Sequence, residues 1–287
     1  MSTEPELDEL RALVERRAGI HLDDTRDRFL AARMREHMNE RGLAKAADLL
    51  GLVRRSNMEY EAFLERLLTQ ETSFFRYPSV FEALRQSVLK EMHARKFWEN
   101  PRTLRVWSAG CSTGEEAYSI AITLAETLMF VEAWDIEILA TDISTLALRR
   151  AEKAVYPKRA LAGLTPEQLE AHFTRVGTAD EWQVRPRIRR MVRVAPMNLA
   201  QPVYAGRMDL IFCMNVMIYF TEERRQGLVR AFYDMLNPGG YLVLGHAESL
   251  SKCGVKLESF LHGDSILYRK PVSGATPVAQ VVGAEKA

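Results

Sequence analysis

The sequence predicts a doubly wound, Rossmann-like α/β domain with a mostly parallel sheet. A small all-helical domain precedes it, and a small antiparallel β subdomain interrupts it. Three observations carry this. An apolar strand, Leu104-Arg105-Val106-Trp107, runs into small residues from 108 to 114 and then into a helix with Ala117, Tyr118, Ile120, Ala121 and Leu124 at helical spacing. Apolar strand patterns recur at 136–142, 208–213 and 241–246, separated by helical stretches. Residues 5–70 show helical periodicity and no strand pattern.

The strand–loop–helix at 104–124 is where a cofactor site begins in this fold class. Gly110 suits the sharp exit from the strand, Gly114 allows close packing of the helix, and Ser112 and Thr113 can cap its N-terminus. The glycine spacing is G-x-x-x-G, not the dinucleotide pattern G-x-G-x-x-G, and is weak alone. Glu115 and Glu116 say more. They occupy the first helical turn, where a pyrophosphate would otherwise dock, and two carboxylates there repel phosphate. They suit a cofactor with a cationic amino group and no phosphate, such as S-adenosylmethionine. Acids in a first turn are also ordinary complements of the helix dipole.

From the N-terminus, Leu7, Leu10, Leu13 and Val14 mark a first helix that ends at Gly19. Asp23 or Asp24 opens a second, with Phe29, Leu30, Met34 and Met38 on one side and Gly42 as its stop. Ala46, Leu49, Leu50 and Val53 predict a third helix; Tyr60, Phe63, Leu64, Leu67 and Leu68 predict a fourth. Arg26, Arg28, Arg33 and Arg35 flank the apolar stripe of the second helix. They are either a solvated face beside Asp27 and Glu36 or a docking face for an acidic protein helix. The connector Gln70-Glu71-Thr72-Ser73-Phe74-Phe75-Arg76-Tyr77-Pro78 is either an interdomain plug or an anchored segment that carries Arg76 to the cleft mouth. A linking helix follows over 79–97, on Phe81, Leu84, Val88, Leu89 and Met92.

The strand at 136–142 ends in Asp142, at the position where a carboxylate binds a ribose diol in this fold class; capping the next helix is the alternative role. Residues 155–197 break the alternation. Residues 182–188 and 191–195 read as a small antiparallel hairpin, made basic by Arg185, Arg187, Arg189, Arg190 and Arg193. It lacks the interleaved aromatics that single-stranded nucleic acid exploits. Asn198 leads back to the core. The strand at 208–213 enters Met214-Asn215-Val216-Met217-Ile218-Tyr219-Phe220, and Thr221 opens a helix through Leu236. Asn237-Pro238-Gly239-Gly240 reads as a turn, 241–246 as a strand, and 256–270 as a closing antiparallel hairpin. His246 suggests a structural role.

Composition narrows the classes. A formal net charge of +1 argues for neither a nucleic-acid coat nor a membrane surface, and 47% hydrophobic with 27% charged residues is globular. Cys111, Cys213 and Cys253 have neither metal-ligand nor disulfide spacing and read as reduced thiols, so no metal is expected. The N-terminus lacks the apolar core of a signal peptide, and no apolar run reaches the ~20 residues of a membrane span. The expectation is cytoplasmic.

The strings ETSFFR, VWSAGCSTGEEAYSIAI, ATDIS, FCMNVMIYF and LNPGGYLVLGHAES, in that order, resemble the bacterial chemotaxis-receptor protein-glutamate O-methyltransferases, the CheR family. The resemblance spans roughly residues 5–270. It implies a class I S-adenosylmethionine-dependent methyltransferase fold, and S-adenosylhomocysteine as product. It divides the chain into a receptor-docking helical domain at 1–75, a linker and connecting helix at 76–102, and a methyltransferase domain at 103–270. A β insertion falls at about 172–197, and the small, polar-rich composition of 271–287 leads to the expectation of a disordered tail. It places Thr72 and Arg76 at the cofactor and substrate mouth, Glu116 on the cofactor's amino group and Asp142 on its ribose. Gly110 lies in the cofactor loop. Asn198 and Leu199 lie by the adenine, Asn215 and Val216 by the ribose and methionyl portions, and Tyr219 near the transferred methyl. Gln70 stands where asparagine is usual, and Met214 where some members have arginine.

A glutamate carboxylate, ionised at neutral pH with an ordinary pKa of ~4.3, needs no general base. It needs alignment, for which Arg76 and Tyr219 are the candidates. The implied partner is the cytoplasmic helical region of a methyl-accepting receptor. Tethering family members have a longer, glycine-bearing loop in the β subdomain. The loop between Phe173 and Trp182 has only Gly177, so no C-terminal pentapeptide tether is expected. Nucleic-acid binding and membrane insertion are not expected. The alternative is a methyltransferase of the same fold that acts on nucleic acid or another protein.

Overall fold

The computed structural model describes residues 4–177, 180–201, 205–250 and 253–272. Most of the tail expected to be disordered lies outside them.

The N-terminal domain packs helices Glu4–Ala18, Asp27–Arg41, Ala46–Arg55 and Asn57–Leu64 around one core. Leu10, Val14, Leu30, Leu49, Val53 and Phe63 are almost wholly buried there. Their i, i+3, i+4 spacing puts each on one helical stripe. Gly42 ends the second helix in the left-handed conformation, φ 65°, which glycine adopts without strain. Neither Asp23 nor Asp24 occupies the cap position of that helix. They belong to or abut a 3₁₀ turn, Asp24–Arg26, and Arg26 takes the cap position without a side-chain hydrogen bond. Arg26 thereby leaves the helical face and stands 5.8 Å from the ring of Tyr219.

The second domain is built on a seven-stranded sheet. In chain order its strands are β1 (Arg102–Ala109), β2 (Trp134–Asp142), β6 (Val192–Pro196), β7 (Met208–Cys213), β8 (Leu236–Leu244), β9 (Glu258–His262) and β10 (Ser265–Arg269). Their spatial order is β6-β2-β1-β7-β8-β10-β9. The first five are parallel, and β10 and β9 are antiparallel to their neighbours. The order reverses between β1 and β7, so the crevice at their C-terminal ends is the topological switch point. This is the class I methyltransferase arrangement. β7 is buried throughout, as expected of a parallel strand covered on both faces. No helix among the described residues is long and apolar enough to cross a membrane.

The antiparallel insertion differs from the hairpin the sequence suggested. Its sheet joins β3 (Val155–Pro157), β4 (Phe173–Val176) and β5 (Glu181–Val184) in the order β3-β5-β4. Residues 192–196 instead pair in parallel with β2, Ile138 opposite Val192 through Asp142 opposite Pro196. Both segments alternate, but the short helix Pro186–Arg189 lies between them and carries the chain back to the main sheet. Part of the basic run forms local struts. Arg185 donates to the carbonyls of Phe173 and Glu170 at 3.0 Å each, Arg190 pairs with Glu132, and Arg193 lies 3.6 Å from Glu137. The 237–240 turn is absorbed into β8, whose pairing with β7 is irregular between Met208 and Leu210.

One buried ion pair fixes the base of the sheet. The Lys96 ammonium lies 2.8 Å from the Asp209 carboxylate and donates to the Thr103 carbonyl at 3.0 Å. Asp209, 1% exposed, also accepts the Arg105 N–H and the Asn237 amide at 3.0 Å each. Removing one partner strands the other in the core, so Asp209→Ala is expected to lower unfolding free energy by about 3–5 kcal/mol. Urea denaturation checks this; a change below about 1 kcal/mol contradicts it.

Candidate cofactor cleft

β1 delivers its last residues to the switch point, and the chain turns at Gly110, φ 91°. A Cβ at Gly110 would sit 2.3 Å from the Val216 side chain, so only glycine lets these two loops approach. The helix Glu115–Thr127 then starts from Gly114, φ 98°. Contrary to the capping expected of Ser112 and Thr113, no side chain caps it. Thr113 donates to Glu115 at 2.6 Å instead. The Ser112 hydroxyl is buried without a hydrogen-bond partner among the described residues.

A single cavity gathers every cofactor and catalytic candidate of the sequence. Gln70, Thr72 and Arg76 line it from the connector, Gly110 and Glu116 from the first loop and helix, and Asp142 from β2. Asn198 and Leu199 enter from the segment after β6, and Asn215, Val216 and Tyr219 from the segment after β7. Phe74 and Phe75, 2% and 7% exposed, anchor the connector in the core. Arg76 is left at the cavity, where it donates to the Glu71 carbonyl at 2.7 Å and lies 3.5 Å from the Glu71 carboxylate. The docking candidates Arg26, Arg28, Arg33 and Arg35 lie outside this lining. Arg33 pairs with Glu36 at 2.7 Å, while Arg28 and Arg35 are exposed.

The two acids differ in surroundings. Glu116 accepts one short hydrogen bond, 2.5 Å from the Ser108 hydroxyl. Burial, and then the negative charges of Glu248 and Asp142, push its pKa up to about 7 against the pull of Ser108 and Arg76. Asp142 is also raised by burial, but it accepts the Ser112 N–H at 2.8 Å and the Ser144 N–H at 2.9 Å. It therefore braces two loops besides facing the cavity. The helix-cap role falls to Ser144, which accepts the Ala147 N–H at 3.0 Å. Asn198 is likewise engaged: its amide donates to the Arg17 carbonyl at 2.7 Å and accepts the Ala200 N–H at 3.0 Å.

Three residues at the cleft escaped sequence reasoning. Glu65, at the end of the helical domain, accepts the Ser144 hydroxyl at 2.6 Å and the Leu146 N–H at 3.1 Å, and so docks that domain on the cleft rim. Tyr77 donates to the Asn215 amide oxygen at 2.9 Å. Glu248 accepts four backbone N–H groups. It lay inside the quoted LGHAES string, and an acid just past a strand's C-terminal end was the available signal.

The cleft fits S-adenosylmethionine by its donor set. It holds a partly buried carboxylate with no cationic hydrogen-bond partner among the described residues, a second acid on the adjoining strand, and a serine hydroxyl without a hydrogen-bond partner among them. It also suits a cationic group better than a phosphate.

Comparison with known proteins agrees. The model described as "CheR methyltransferase, SAM binding domain" matches residues 70–262, and the CheR all-alpha domain matches 5–68. The chemotaxis protein methyltransferase of Escherichia coli is 38% identical over 83% of this chain and 82% of its own length. A Vibrio cholerae chemotaxis protein methyltransferase is 37% identical over 76% of each. That of Vibrio parahaemolyticus is 35% identical over 89% of this chain and 93% of its own.

Proposed function

The chain belongs to the CheR methyltransferase family, and on that ground we propose that it esterifies glutamate side chains in the cytoplasmic helical region of a chemotaxis receptor. It is an S-adenosylmethionine-dependent methyltransferase. The observation that carries the substrate reading is Arg76, an arginine held at the cavity by a buried aromatic pair. Its guanidinium would grip one carboxylate oxygen of the substrate and leave the other to attack.

The bound cofactor supplies an electrophilic methyl group on a sulfonium. The chain's own residues do the rest by binding and alignment. Glu116 would receive the cofactor's amino group, and Asp142 its ribose hydroxyls. Asn198 and Leu199 would bound the adenine, and Gln70, Thr72, Gly110, Asn215 and Val216 would complete the walls. Tyr219 would orient the incoming carboxylate by its hydroxyl. The nucleophile arrives ionised, so no residue needs to remove a proton. Peptide mapping of a receptor cytoplasmic fragment after incubation with enzyme and cofactor tests this. The expected result is methyl groups on glutamate side chains; methylation confined to lysine, arginine or nucleic acid would overturn it.

Docking is assigned to Arg26, Arg28, Arg33 and Arg35, facing an acidic receptor helix, without a C-terminal pentapeptide tether. The exposure of Arg28 and Arg35 supports this. The β4–β5 loop, on which the tether reading rests, lies partly outside the described residues. Contacts of this kind are screened over ~8–10 Å at physiological salt. Receptor methylation should therefore slow as ionic strength rises, Arg35→Glu should raise the receptor KM, and truncating the receptor tail should change little. Initial rates against intact and truncated receptor check this, and a collapse on truncation would refute direct docking.

A further inference from the structure

We propose that Glu248 is a positioning residue for the cofactor cleft and that Tyr77 completes its hold on Asn215. Glu248 follows β8 and is absent from the cavity lining. One carboxylate oxygen accepts the N–H groups of Gly245 at 2.8 Å and Asn215 at 2.9 Å. The other accepts those of Val216 at 3.0 Å and Met217 at 2.7 Å. Three consecutive amides of the loop after β7 thus converge on one anion, and each bond is charge-assisted. Nothing but an ionised carboxylate offers four acceptor positions to four donors in this geometry.

The loop needs such an anchor. Asn215 sits at φ 61°, a left-handed conformation that asparagine tolerates better than other side-chain-bearing residues, and the bond from its N–H to Glu248 holds it there. There is no slack behind it, because a Cβ on Gly245 would lie 2.9 Å from both the Asn215 nitrogen and the Glu248 carboxylate. Tyr77, itself at φ 62°, fixes the Asn215 side chain by the hydroxyl bond to its amide oxygen, and its ring packs 4.2 Å from that of His246. Backbone and side chain of Asn215 are therefore held from two directions. The same loop carries Val216 and Tyr219 to the cavity. Glu248 and Tyr77 act on the cofactor through Asn215 and Val216, a role that rests on the cofactor reading of the cleft.

The test is calorimetric binding of S-adenosylhomocysteine to the full chain, its E248Q variant and its Tyr77→Phe variant, with amide hydrogen exchange followed on each. A glutamine replaces acceptor positions by an N–H that faces the loop's own donors. E248Q is expected to weaken S-adenosylhomocysteine binding by about 10- to 100-fold. Exchange should accelerate at residues 215–217 while β1 and β2 stay protected, and the KM for cofactor should rise by more than the receptor KM. Tyr77→Phe keeps all four backbone bonds and is expected to weaken binding by roughly threefold to tenfold, the loss of one hydrogen bond. Affinity within about twofold of wild type in a folded E248Q would overturn the proposal. Should E248Q lose protection throughout the sheet, Tyr77→Phe decides: weaker binding supports the clamp, and unchanged binding overturns it. A wild-type chain that fails to bind S-adenosylhomocysteine would overturn the cofactor reading together with this one.

Discussion

Affinity for S-adenosylmethionine is expected to rise as pH is raised from about 5.5 through the Glu116 pKa of about 7, until the cofactor's own α-amino group starts to lose its proton at ~7.7–8.0. The sign follows from burial. Below the Glu116 pKa the carboxyl of the cofactor-free chain is protonated, and it must lose its proton before it can accept an ammonium. Each pH unit below 7 should weaken binding roughly tenfold, and calorimetry in two buffers should detect one proton released per cofactor bound. The same raised value bears on stability. Relative to an ordinary 4.5, Glu116 contributes stability that is complete below 4.5 and is lost as pH rises through about 7, so the cofactor-free chain loses stability over that window. Glu116→Gln should flatten the binding profile and cost about 1.5–3 kcal/mol of affinity at pH 8, the worth of a hydrogen bond to a charged group. A flat wild-type profile would remove Glu116 from the proposed amino-group site.

Arg76→Ala is expected to lower kcat by about 10²–10³ while changing cofactor affinity less than about fivefold. The expectation rests on where Arg76 sits. Phe74 and Phe75 bury the connector, Gly163 packs against the Phe74 carbonyl so closely that a Cβ would lie 2.2 Å from it, and the guanidinium is left at the cavity. Some loss of cofactor affinity is expected because Arg76 favours the ionised form of Glu116. Single-turnover kinetics with the receptor fragment separate the two effects. Equal losses in kcat and cofactor affinity would make Arg76 a cofactor residue only.

The parts of this protein that were legible in the sequence are those where one stretch carries its own physics. Glycine loop, adjoining acid pair and the helical periodicity of residues 5–70 are local patterns, and each lies where its pattern put it. What escaped depends on partners far along the chain. Residues 192–196 alternate as an edge strand does whether they join a hairpin or the main sheet, and only pairing with Ile138–Asp142 decides between them. Glu248 meets Asn215 across 33 residues and Tyr77 meets it across 138, separations that no local spacing encodes. Asp142 carried both of its candidate readings forward in altered form. It faces the cavity, and it braces Ser112 and Ser144 while Ser144 itself caps the helix. Asp142→Ala therefore removes a loop brace together with any ribose partner.

The nature of the methyl acceptor is tested most directly by transfer of tritiated methyl from S-adenosylmethionine to a receptor cytoplasmic fragment, followed by mild base. A carboxyl ester hydrolyses, so the label should leave as volatile methanol, and Arg76→Ala should release far less. Label that stays on the protein through base treatment would mean the methyl sits on nitrogen or carbon and would contradict carboxylate methylation.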